Sequence, residues 1–435
     1  MAKLRILTVF AYPWQDSNNI GNSFSNILGD NENYEIAHVY CSTGKPQTSV
    51  CRRFFQMTEF SVLKNLFNKK YPSGKEIFVT QDNIGSFPKK LSITDRMIFY
   101  CKRYRFTIFF WLRNLIWAFG NWKSTDLNKF VDSFAPDIIF YNIDYFIYTN
   151  NIALYVQKRT KAKMVGYFWD DVYSFKQFSL SPFFWIDRFI NRFYIKKVVR
   201  ISSLIYVISQ YQKDEYDRYF NIDSHVLCKG GSFEKKNELN ENLNTPLKII
   251  YTGNIISGRW KTLVAVADKV KKINADGEKV QLFITTTNYV SNKVRKKIVC
   301  DKSIFLLGKL PFSEVKELQR HADILLYVEP FTLAERYIWR LSFSTKIVDY
   351  LEQARCVLAI GWEGGAGIKY LRDRDAALIV TDMYSIEGIL KSLINDTNII
   401  IEYSKKAFDC GIKNHQLQSV HSHLYIDFCN LINSK

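Results

Sequence analysis

Short apolar runs alternate with helical segments along most of this 435-residue chain, and this alternation limits the folds open to it. Many of the runs are apolar throughout, which is typical of strands buried on both faces of a parallel sheet. Parallel strands need crossovers, and the helical segments supply them. We therefore predict an α/β fold built on doubly wound, Rossmann-like parallel sheets. The predicted strands are residues 4–11, 34–39, 137–141, 164–168 and 204–208 in the first half, and 247–251, 280–284, 304–307, 324–328, 357–360 and 377–380 in the second.

The length and one polar stretch predict two domains. A chain of this size is too long for one typical hydrophobic core. Residues 236–246 are polar, rich in asparagine and closed by Pro246, as expected of a linker. We predict an N-terminal domain over 1–235, a C-terminal domain over 247–405 and a helical segment over 406–435. Ligands of such sheets bind at the carboxyl ends of the strands, so we expect a site in a cleft between the two domains.

The charge balance indicates an anionic partner. There are 60 Lys and Arg residues against 42 Asp and Glu, a net charge of +18. Nucleic acid, an anionic membrane surface and a phosphorylated substrate all fit this balance. The eight cysteines form no C-x-x-C pair and the six histidines have no metal-ligand spacing, so we expect a reducing cytoplasm and no bound metal. Neither a signal peptide nor an apolar stretch of membrane-spanning length is recognisable.

The segment 342–351 is the strongest candidate for binding a ligand. Ser344 and Thr345 are favourable N-cap residues, and an amphipathic segment follows them. The free N–H groups at such a helix start favour an anion such as a diphosphate. Lys346 adds a positive charge for phosphate, and Asp349 is a candidate acceptor for ribose hydroxyls. The alternative is a capped helix with solvated charges.

Two glycine turns follow predicted strands of the second half. Gly253 and Asn254 follow the first strand, where the backbone can approach a ligand closely, and Arg259 near the next helix start offers a planar fork for phosphate oxygens. Leu307 and Gly308 end the third strand, where backbone groups are candidates to meet a nucleobase edge. The dinucleotide fingerprint G-x-G-x-x-G is absent from both turns. The alternative is ordinary tight turns with solvated basic residues.

The first half contributes candidates at the ends of its own predicted strands. Asp170 and Asp171 follow the strand over 164–168, where either is a candidate to orient an acceptor hydroxyl or take its proton. The alternative is a polar loop or a helix cap, which aspartate favours. Gly21 lies in an asparagine-rich turn after the first strand and is a candidate to present its N–H to a sugar. An ordinary turn is equally consistent with that pattern.

A basic, aromatic insertion separates two predicted strands of the first half. Cations and aromatic rings alternate there, and a similar stretch follows at 181–200. Rings and cations together suit an anionic membrane surface, core packing with a solvated basic face, or single-stranded nucleic acid. No nucleic-acid module is recognisable, so we expect no nucleic-acid partner. The insertion includes Lys89, Lys90, Arg96, Phe99, Tyr100, Lys102, Arg103, Tyr104, Arg105, Phe106, Phe109, Phe110, Trp111, Arg113, Trp117 and Trp122.

In their order along the chain, these elements resemble the GT-B glycosyltransferases, specifically the family 4 type (glycosyl transferases group 1), which uses nucleotide-activated sugars. The resemblance covers most of residues 130–400. It implies that Arg259 and Lys346 bind the donor diphosphate and act in catalysis. It also implies that Asp349 holds the ribose and that residues 307–308 lie by the base. The matching segments are 203–209, 251–254 with Arg259, 307–308, 321–326, 344–351 and 357–359.

The sequence departs from the family pattern at several positions. The family commonly has two glutamates that flank seven residues. Here the second is Asp349, and the position of the first holds Leu341. Glu329 and Glu335 are candidates to replace the first glutamate. The family's lysine after the glycine turn is an arginine here, and its first-domain His-Asp is replaced by Trp-Asp-Asp at 169–171.

These observations predict a hexosyltransferase (EC 2.4) that moves a sugar from a nucleotide diphosphate sugar to a glycan acceptor in surface polysaccharide biosynthesis. We expect the acceptor to be lipid-linked and the enzyme to be cytoplasmic, on the inner face of the plasma membrane. The resemblance implies a retaining, metal-independent reaction with the nucleotide sugar as co-substrate and no cofactor. Two alternatives remain open: a nucleotide-sugar epimerase or hydrolase on the same fold, and a non-catalytic protein that binds anionic polymers or membrane.

Overall fold

A computed structural model describes residues 3–30, 32–79, 107–234, 242–300 and 302–434. The chain divides into two compact units. The first comprises residues 1–175, 179–227 and 421–435, and the second comprises 176–178 and 228–420. Residues 80–106, which include much of the basic, aromatic insertion, lie outside the described residues. Residues 235–241, which include the first part of the predicted linker, also lie outside them.

Within the described residues, the first unit contains an eight-stranded sheet of order β4-β3-β2-β1-β5-β6-β7-β8. Neighbouring strands are parallel except for the β3–β4 pair. β3 and β4 were not predicted; they lie between the second and third predicted strands and add an antiparallel edge. The strands are β1 Leu4–Phe10, β2 Tyr34–Tyr40, β3 Arg53–Met57, β4 Gly74–Phe78, β5 Ile138–Asn142, β6 Lys163–Phe168, β7 Leu204–Val207 and β8 His225–Val226.

Several helices of the first unit begin at side chains that cap them. Thr58 forms a reciprocal capping box with Ser61, and the Ser124 and Ser209 side chains accept N–H groups from the first turns of their helices. These contacts satisfy donors that a helix start leaves unpaired. The helices are α1 Asn19–Leu28, α2 Glu59–Phe67, α3 Thr107–Phe119, α4 Thr125–Phe134, α5 Ile147–Thr160, α6 Pro182–Ile201 and α7 Gln210–Phe220.

The second unit contains, among the described residues, a six-stranded parallel sheet of order β11-β10-β9-β12-β13-β14. The strand order reverses between β9 and β12, and ligand sites of such sheets form at this switch point. The strands are β9 Leu247–Thr252, β10 Val280–Thr285, β11 Ile304–Gly308, β12 Ile324–Val328, β13 Cys356–Ile360 and β14 Leu378–Val380. The helices are α8 Arg259–Ile273, α9 Asn292–Ile298, α10 Phe312–Arg320, α11 Leu333–Trp339, α12 Lys346–Glu352, α13 Ala366–Asp373, α14 Ile386–Asn395 and α15 Asn398–His415, with a 3-10 turn at Asn274–Asp276. The last helix, α16 Leu417–Asn433, belongs to the first unit from His421 onward.

The core of the second unit fixes the position of β9 and of the helix that follows it. Leu263, Val266 and Val270 recur at helical spacing along α8 and are fully buried against Ile249 and Leu282 of the sheet. Burying each such side chain contributes about 1.5–3 kcal/mol. The start of α8 is therefore held firmly at the carboxyl end of β9.

The chain passes from the first unit to the second after residue 227 and returns to the first unit at His421. Just beyond residue 227, Lys229 forms an ion pair with Asp349, and the Gly231 N–H donates to the His415 carbonyl at 2.8 Å. In the first unit, the Tyr206 hydroxyl donates to Asp427 at 2.6 Å. The domain bounds 1–235, 247–405 and 406–435 stay predictions.

None of the helices in the described part of the chain has the length and apolar content that a bilayer-spanning helix requires.

Candidate functional site

Two glycines shape the turn that joins β9 to α8. Gly253 has φ of +134° and donates its N–H to the Thr285 carbonyl at 3.0 Å. Gly258 has φ of +80° and immediately precedes Arg259, the first residue of α8. Both φ values lie in the region that favours glycine. The turn thus brings the backbone and Arg259 to the switch point of the sheet.

Arg259 is buried in a pair with Glu329. Its Nη2 donates to both Glu329 carboxylate oxygens, at 3.0 and 3.2 Å, and its Nη1 donates to the Asn254 side-chain oxygen at 3.2 Å. The guanidinium also lies 4.7 Å from the ring centre of Trp339. Burial is the largest single influence and lowers the Arg259 pKa, but the charge and hydrogen bond of Glu329, together with Tyr251 and Tyr327, leave that pKa raised. Arg259 is therefore held rigidly, with its charge balanced by Glu329.

Lys346 reaches the same turn from α12. Its ammonium lies 5.0 Å from the ring centre of Tyr251, and a Cβ built on Gly253 would overlap it. Burial of the ammonium, together with the nearby charge of Arg259, lowers the Lys346 pKa to about 7. The structure therefore brings together Arg259 and Lys346, which lie 87 positions apart in the sequence.

Two carboxylates that act on the Lys346 ammonium, Glu329 and Asp349, each have a cation of their own. Glu329 pairs with Arg259, and Asp349 pairs with Lys229. With Lys346 protonated, these five groups carry one net positive charge, which resides on the Lys346 ammonium. A desolvated cation beside a glycine turn is well suited to an anionic ligand, because the interaction is stronger than it would be in water.

The start of α12 differs from the prediction. Thr345 occupies the N-cap position, but its side chain makes no capping hydrogen bond, and the helix has seven residues. The Ser344 and Thr345 carbonyls accept the Ile347 and Asp349 N–H groups at 3.0 and 3.3 Å. We therefore assign the electrostatics of this loop to the Lys346 ammonium rather than to a capped helix dipole.

Two further predicted binding residues lie around this turn. Asp349 is one helical turn from Lys346 and engages Lys229, and its predicted contact with ribose stays a prediction. Gly308 ends β11, two strand positions from β9 or roughly 10 Å away. Its carbonyl accepts the Thr285 hydroxyl at 2.7 Å and the Thr286 N–H at 2.9 Å. The predicted contact of Leu307 and Gly308 with a base is likewise still a prediction.

The two candidate glutamates occupy different places. Glu329 directly follows β12 and accepts the Tyr327 hydroxyl as well as Arg259. Glu335, on α11, lies so close to Gly258 that a Cβ there would overlap its carboxylate. Sequence reasoning did not find the pairing of Glu329 with Arg259. A charged residue at the carboxyl end of a fully apolar strand was the available signal.

A small pocket opens beside the Arg259–Glu329 pair. Two tryptophans contribute to it, and Arg336 lies 5.7 Å from the ring centre of Trp362. The lining residues are Glu329, Pro330, Arg336, Trp339, Ser342, Trp362, Gly365 and Gly367.

In the first unit, the two predicted aspartates have different environments. The Asp171 side chain is fully buried, and it accepts hydrogen bonds from the Ser174 N–H at 2.9 Å and the Tyr216 hydroxyl at 3.0 Å. Arg188 lies 3.4 Å from the same carboxylate. This geometry favours a structural role for Asp171, whereas Asp170 is exposed at the end of β6.

Asp144 is a carboxyl group that the sequence analysis did not single out. It follows β5, which is the neighbour of β6 in the sheet. Burial raises the pKa of Asp144 to about 7, and the charge of Asp170 acts in the same direction. Its position after a buried strand was the same signal that selected Asp170.

Gly21 lies within the first turn of α1. Its N–H donates to the Asn18 side chain at 2.8 Å, which caps the helix. This N–H is already committed within the protein, so the geometry does not favour its predicted contact with a sugar.

Among the described residues, no group of three His, Cys, Asp or Glu side chains is placed to hold a metal ion.

No protein-family profile matches this sequence, and no curated protein matches it. Solved structures do match it in three dimensions. HepE of Anabaena in complex with UDP matches with a TM-score of 0.62 at 10% identity, over 99% of this chain and 100% of that chain. Sucrose-phosphate synthase from Thermosynechococcus elongatus matches with a TM-score of 0.61 at 10% identity, over 100% of both chains. TarM matches with a TM-score of 0.60 at 10% identity, over 100% of this chain and 99% of that chain.

The chain has the GT-B fold. The neighbours are GT-B glycosyltransferases. The predicted fold class, two parallel-sheet α/β domains in tandem, is therefore confirmed. At 10% identity the likeness is one of architecture, and the chemistry of this GT-B chain has to be argued from its own residues.

Proposed function

We propose that this GT-B chain is a hexosyltransferase that moves a sugar from a nucleotide diphosphate sugar to a glycan acceptor. The observation that carries the proposal is the convergence of Lys346 and Arg259 at the Gly253 turn. Solved structures of similar fold support it, because HepE was crystallised with UDP and with UDP-glucose. We further propose that the acceptor is lipid-linked, that the reaction retains the anomeric configuration without a metal, and that it serves surface polysaccharide synthesis at the inner face of the plasma membrane.

The chemistry requires stabilisation of a departing diphosphate. Negative charge accumulates on that group as the glycosidic bond to the donor breaks, and preorganised cations stabilise it. In this proposal the Lys346 ammonium supplies the net charge. Arg259, fixed by Glu329 and Asn254, supplies hydrogen-bond donors of defined direction. Asp349 binds the ribose, and residues 307–308 lie beside the base.

For the acceptor, we propose Asp170 as the group that orients the hydroxyl or takes its proton. It is exposed at a strand end, and Asp144, with a pKa raised to about 7 by burial, lies on the neighbouring strand end. The pKa near neutrality belongs to Asp144, so in this proposal Asp144 is the carboxyl group suited to receive the proton when Asp170 orients the hydroxyl.

Ligand-induced stabilisation tests the proposed function. The melting temperature of the full chain is measured with UDP, GDP, UDP-glucose and other nucleotide sugars, because a ligand that binds the folded state raises stability according to its affinity. We expect one nucleotide class to stabilise the wild type. Release of the nucleotide diphosphate should then depend on an added glycan acceptor. Equal release without acceptor would indicate a hydrolase, and no stabilisation by any nucleotide would overturn the proposal.

Nucleotide affinity should depend on the protonation of Lys346. The protonated ammonium binds the diphosphate, so affinity is greatest below the pKa of about 7 and falls as the pH rises above it. The decrease approaches tenfold per pH unit, between about pH 7 and pH 9. Isothermal titration calorimetry across this range measures it. In Lys346→Arg the guanidinium stays charged, so its profile should be flat. A flat wild-type profile would contradict the assignment.

Substitution of Asp171 should lower stability, whereas substitution of Asp170 should lower activity. We expect Asp171→Asn to lower the free energy of unfolding by about 3 kcal/mol, because it leaves the buried Arg188 less well compensated. Asp170→Asn should leave the melting temperature unchanged and lower kcat by roughly a hundredfold. Denaturant unfolding and turnover of the same preparations measure both effects. Wild-type turnover in Asp170→Asn would remove this residue from the mechanism.

A further inference from the structure

The outward face of α6 is apolar over its first three turns. Phe183, Ile186, Phe189, Ile190 and Phe193 recur at helical spacing, and all five are exposed. Phe189 leaves 71% of its surface accessible and Phe193 leaves 56%. Single exposed apolar residues are ordinary, but a continuous row of them marks an interaction surface.

The polar residues of the same turns face inward. Arg188 and Asn191 are buried, and Arg188 donates to the Ser174 carbonyl at 3.0 Å and the Asp171 carbonyl at 2.8 Å. These bonds fix the rotation of α6 about its axis. The helix is unable to turn its phenylalanines inward without leaving a buried guanidinium and its acceptors unpaired, which is costly. The fold therefore holds the apolar row outward.

A second helix extends this surface. Trp111 of α3 packs edge to face against Phe183, with ring centres 6.0 Å apart. Leu112, Leu115 and Phe119 of α3 are also exposed, Phe119 by 73%. We call the exposed residues of these two helices the α3–α6 surface.

Cations follow the apolar row in the last turns of α6. Lys196, Lys197 and Arg200 are exposed at the same helical spacing. The Lys197 ammonium lies 4.1 Å from the ring centre of Phe193. An apolar row with flanking lysine and arginine fits a bilayer boundary, where rings enter the acyl region and cations meet lipid phosphates. Protein interfaces, by contrast, are depleted in lysine.

We propose that the α3–α6 surface docks the first unit onto an anionic lipid bilayer. The charge of the last turns of α6 and the net charge of +18 complement such a membrane. This inference deepens the proposed function, since it names the surface that would place the enzyme beside a lipid-linked acceptor. It concerns residues separate from Lys346 and Arg259, so the two proposals can fail independently.

Vesicle co-sedimentation of the full chain tests the proposal. The vesicles contain either phosphatidylcholine or phosphatidylcholine with phosphatidylglycerol. We expect binding to the anionic vesicles and a loss of at least about tenfold in Phe189→Ser/Phe193→Ser, because two rings no longer enter the bilayer. Lys196→Gln/Lys197→Gln should lose about fivefold per lysine, on anionic vesicles and at low salt. Phe312→Ser is the matched control, since Phe312 of α10 is 61% exposed with Lys316 at 5.4 Å from its ring centre.

Each outcome decides the question. All variants should keep the wild-type melting temperature and its shift with nucleotide, which separates loss of docking from loss of folding or of the proposed activity. Equal vesicle binding by the wild type and Phe189→Ser/Phe193→Ser would overturn the proposal. The proposal would also be overturned if the wild type sedimented as a dimer and Phe189→Ser/Phe193→Ser sedimented as a monomer. Tighter binding of the wild type to a single-stranded oligonucleotide than to anionic vesicles would overturn it as well.

Discussion

Replacing Lys346 by alanine should lower kcat by roughly 10²–10³-fold, because the charge that stabilises the departing diphosphate is removed. The fold should remain intact. Desolvation already disfavours the buried ammonium, as its pKa of about 7 indicates, so the variant should be no less stable than the wild type. Steady-state turnover with the stabilising nucleotide sugar and a thermal melt of the same sample measure both effects.

Lys261→Ala is the matched control. Lys261 lies two residues after Arg259 on the same helix turn, but it is exposed, and its ammonium is 5.8 Å from the ring centre of Trp260. Its removal should change turnover by less than about twofold, because exposed charges are screened. Wild-type turnover in Lys346→Ala, or an equal loss in Lys261→Ala, would refute the assigned role. Arg259→Ala is less informative, because it would leave Glu329 buried without its cation, at a cost of about 3–5 kcal/mol.

Gly253→Ala should reproduce much of the Lys346→Ala defect without touching the lysine. A Cβ at this position would overlap the Lys346 ammonium, and the flexible end of the lysine side chain would have to move away. We expect nucleotide affinity to fall by at least about tenfold, the loss of one charge-assisted contact. Isothermal titration calorimetry measures the change, and a thermal melt reports the accompanying backbone strain of about 1–3 kcal/mol.

Gly277→Ala isolates the steric effect from that strain. Gly277 has φ of +124°, close to the +134° of Gly253, but a Cβ there would meet no atom within 4 Å. It should lower the melting temperature and leave nucleotide affinity unchanged. In the double variant Gly253→Ala/Lys346→Ala, the glycine substitution should add no further loss of affinity, because the displaced group is gone. Additive losses would show that Gly253 acts by some other route.

The sequence predicted the second sheet closely. Five of its strands begin or end within one residue of the predicted positions, and 324–328 coincides with Ile324–Val328. The physical reason is that strands buried on both faces are apolar throughout and bounded by polar turns, which is a local signal. The edge pair β3–β4 was missed because its residues lie in a stretch dominated by basic and aromatic side chains.

The candidate site was predicted in part. The rule that ligands bind at the carboxyl ends of parallel strands indicated the turn that carries Arg259. That Arg259 and Lys346 act on the same group was implied by the resemblance to GT-B glycosyltransferases. The partners of these residues did not follow from either. Glu329 lies 70 positions from Arg259 and Lys229 lies 120 from Asp349, and their spacing in sequence carries no trace of either pairing.

The sequence by itself determined the order of the strands in the second sheet, their parallel arrangement and the turn residues Gly253 and Arg259 that follow β9, because apolar periodicity and turn residues act over short distances along the chain. Tertiary structure decided how those groups are charged and what they face. Burial lowers the Lys346 pKa to about 7. Asp171 is buried in a pair with Arg188, and the buried contacts of Arg188 keep the phenylalanines of α6 on the exposed face of that helix. Desolvation and long-range pairing depend on which residues become neighbours, and only the folded chain sets that.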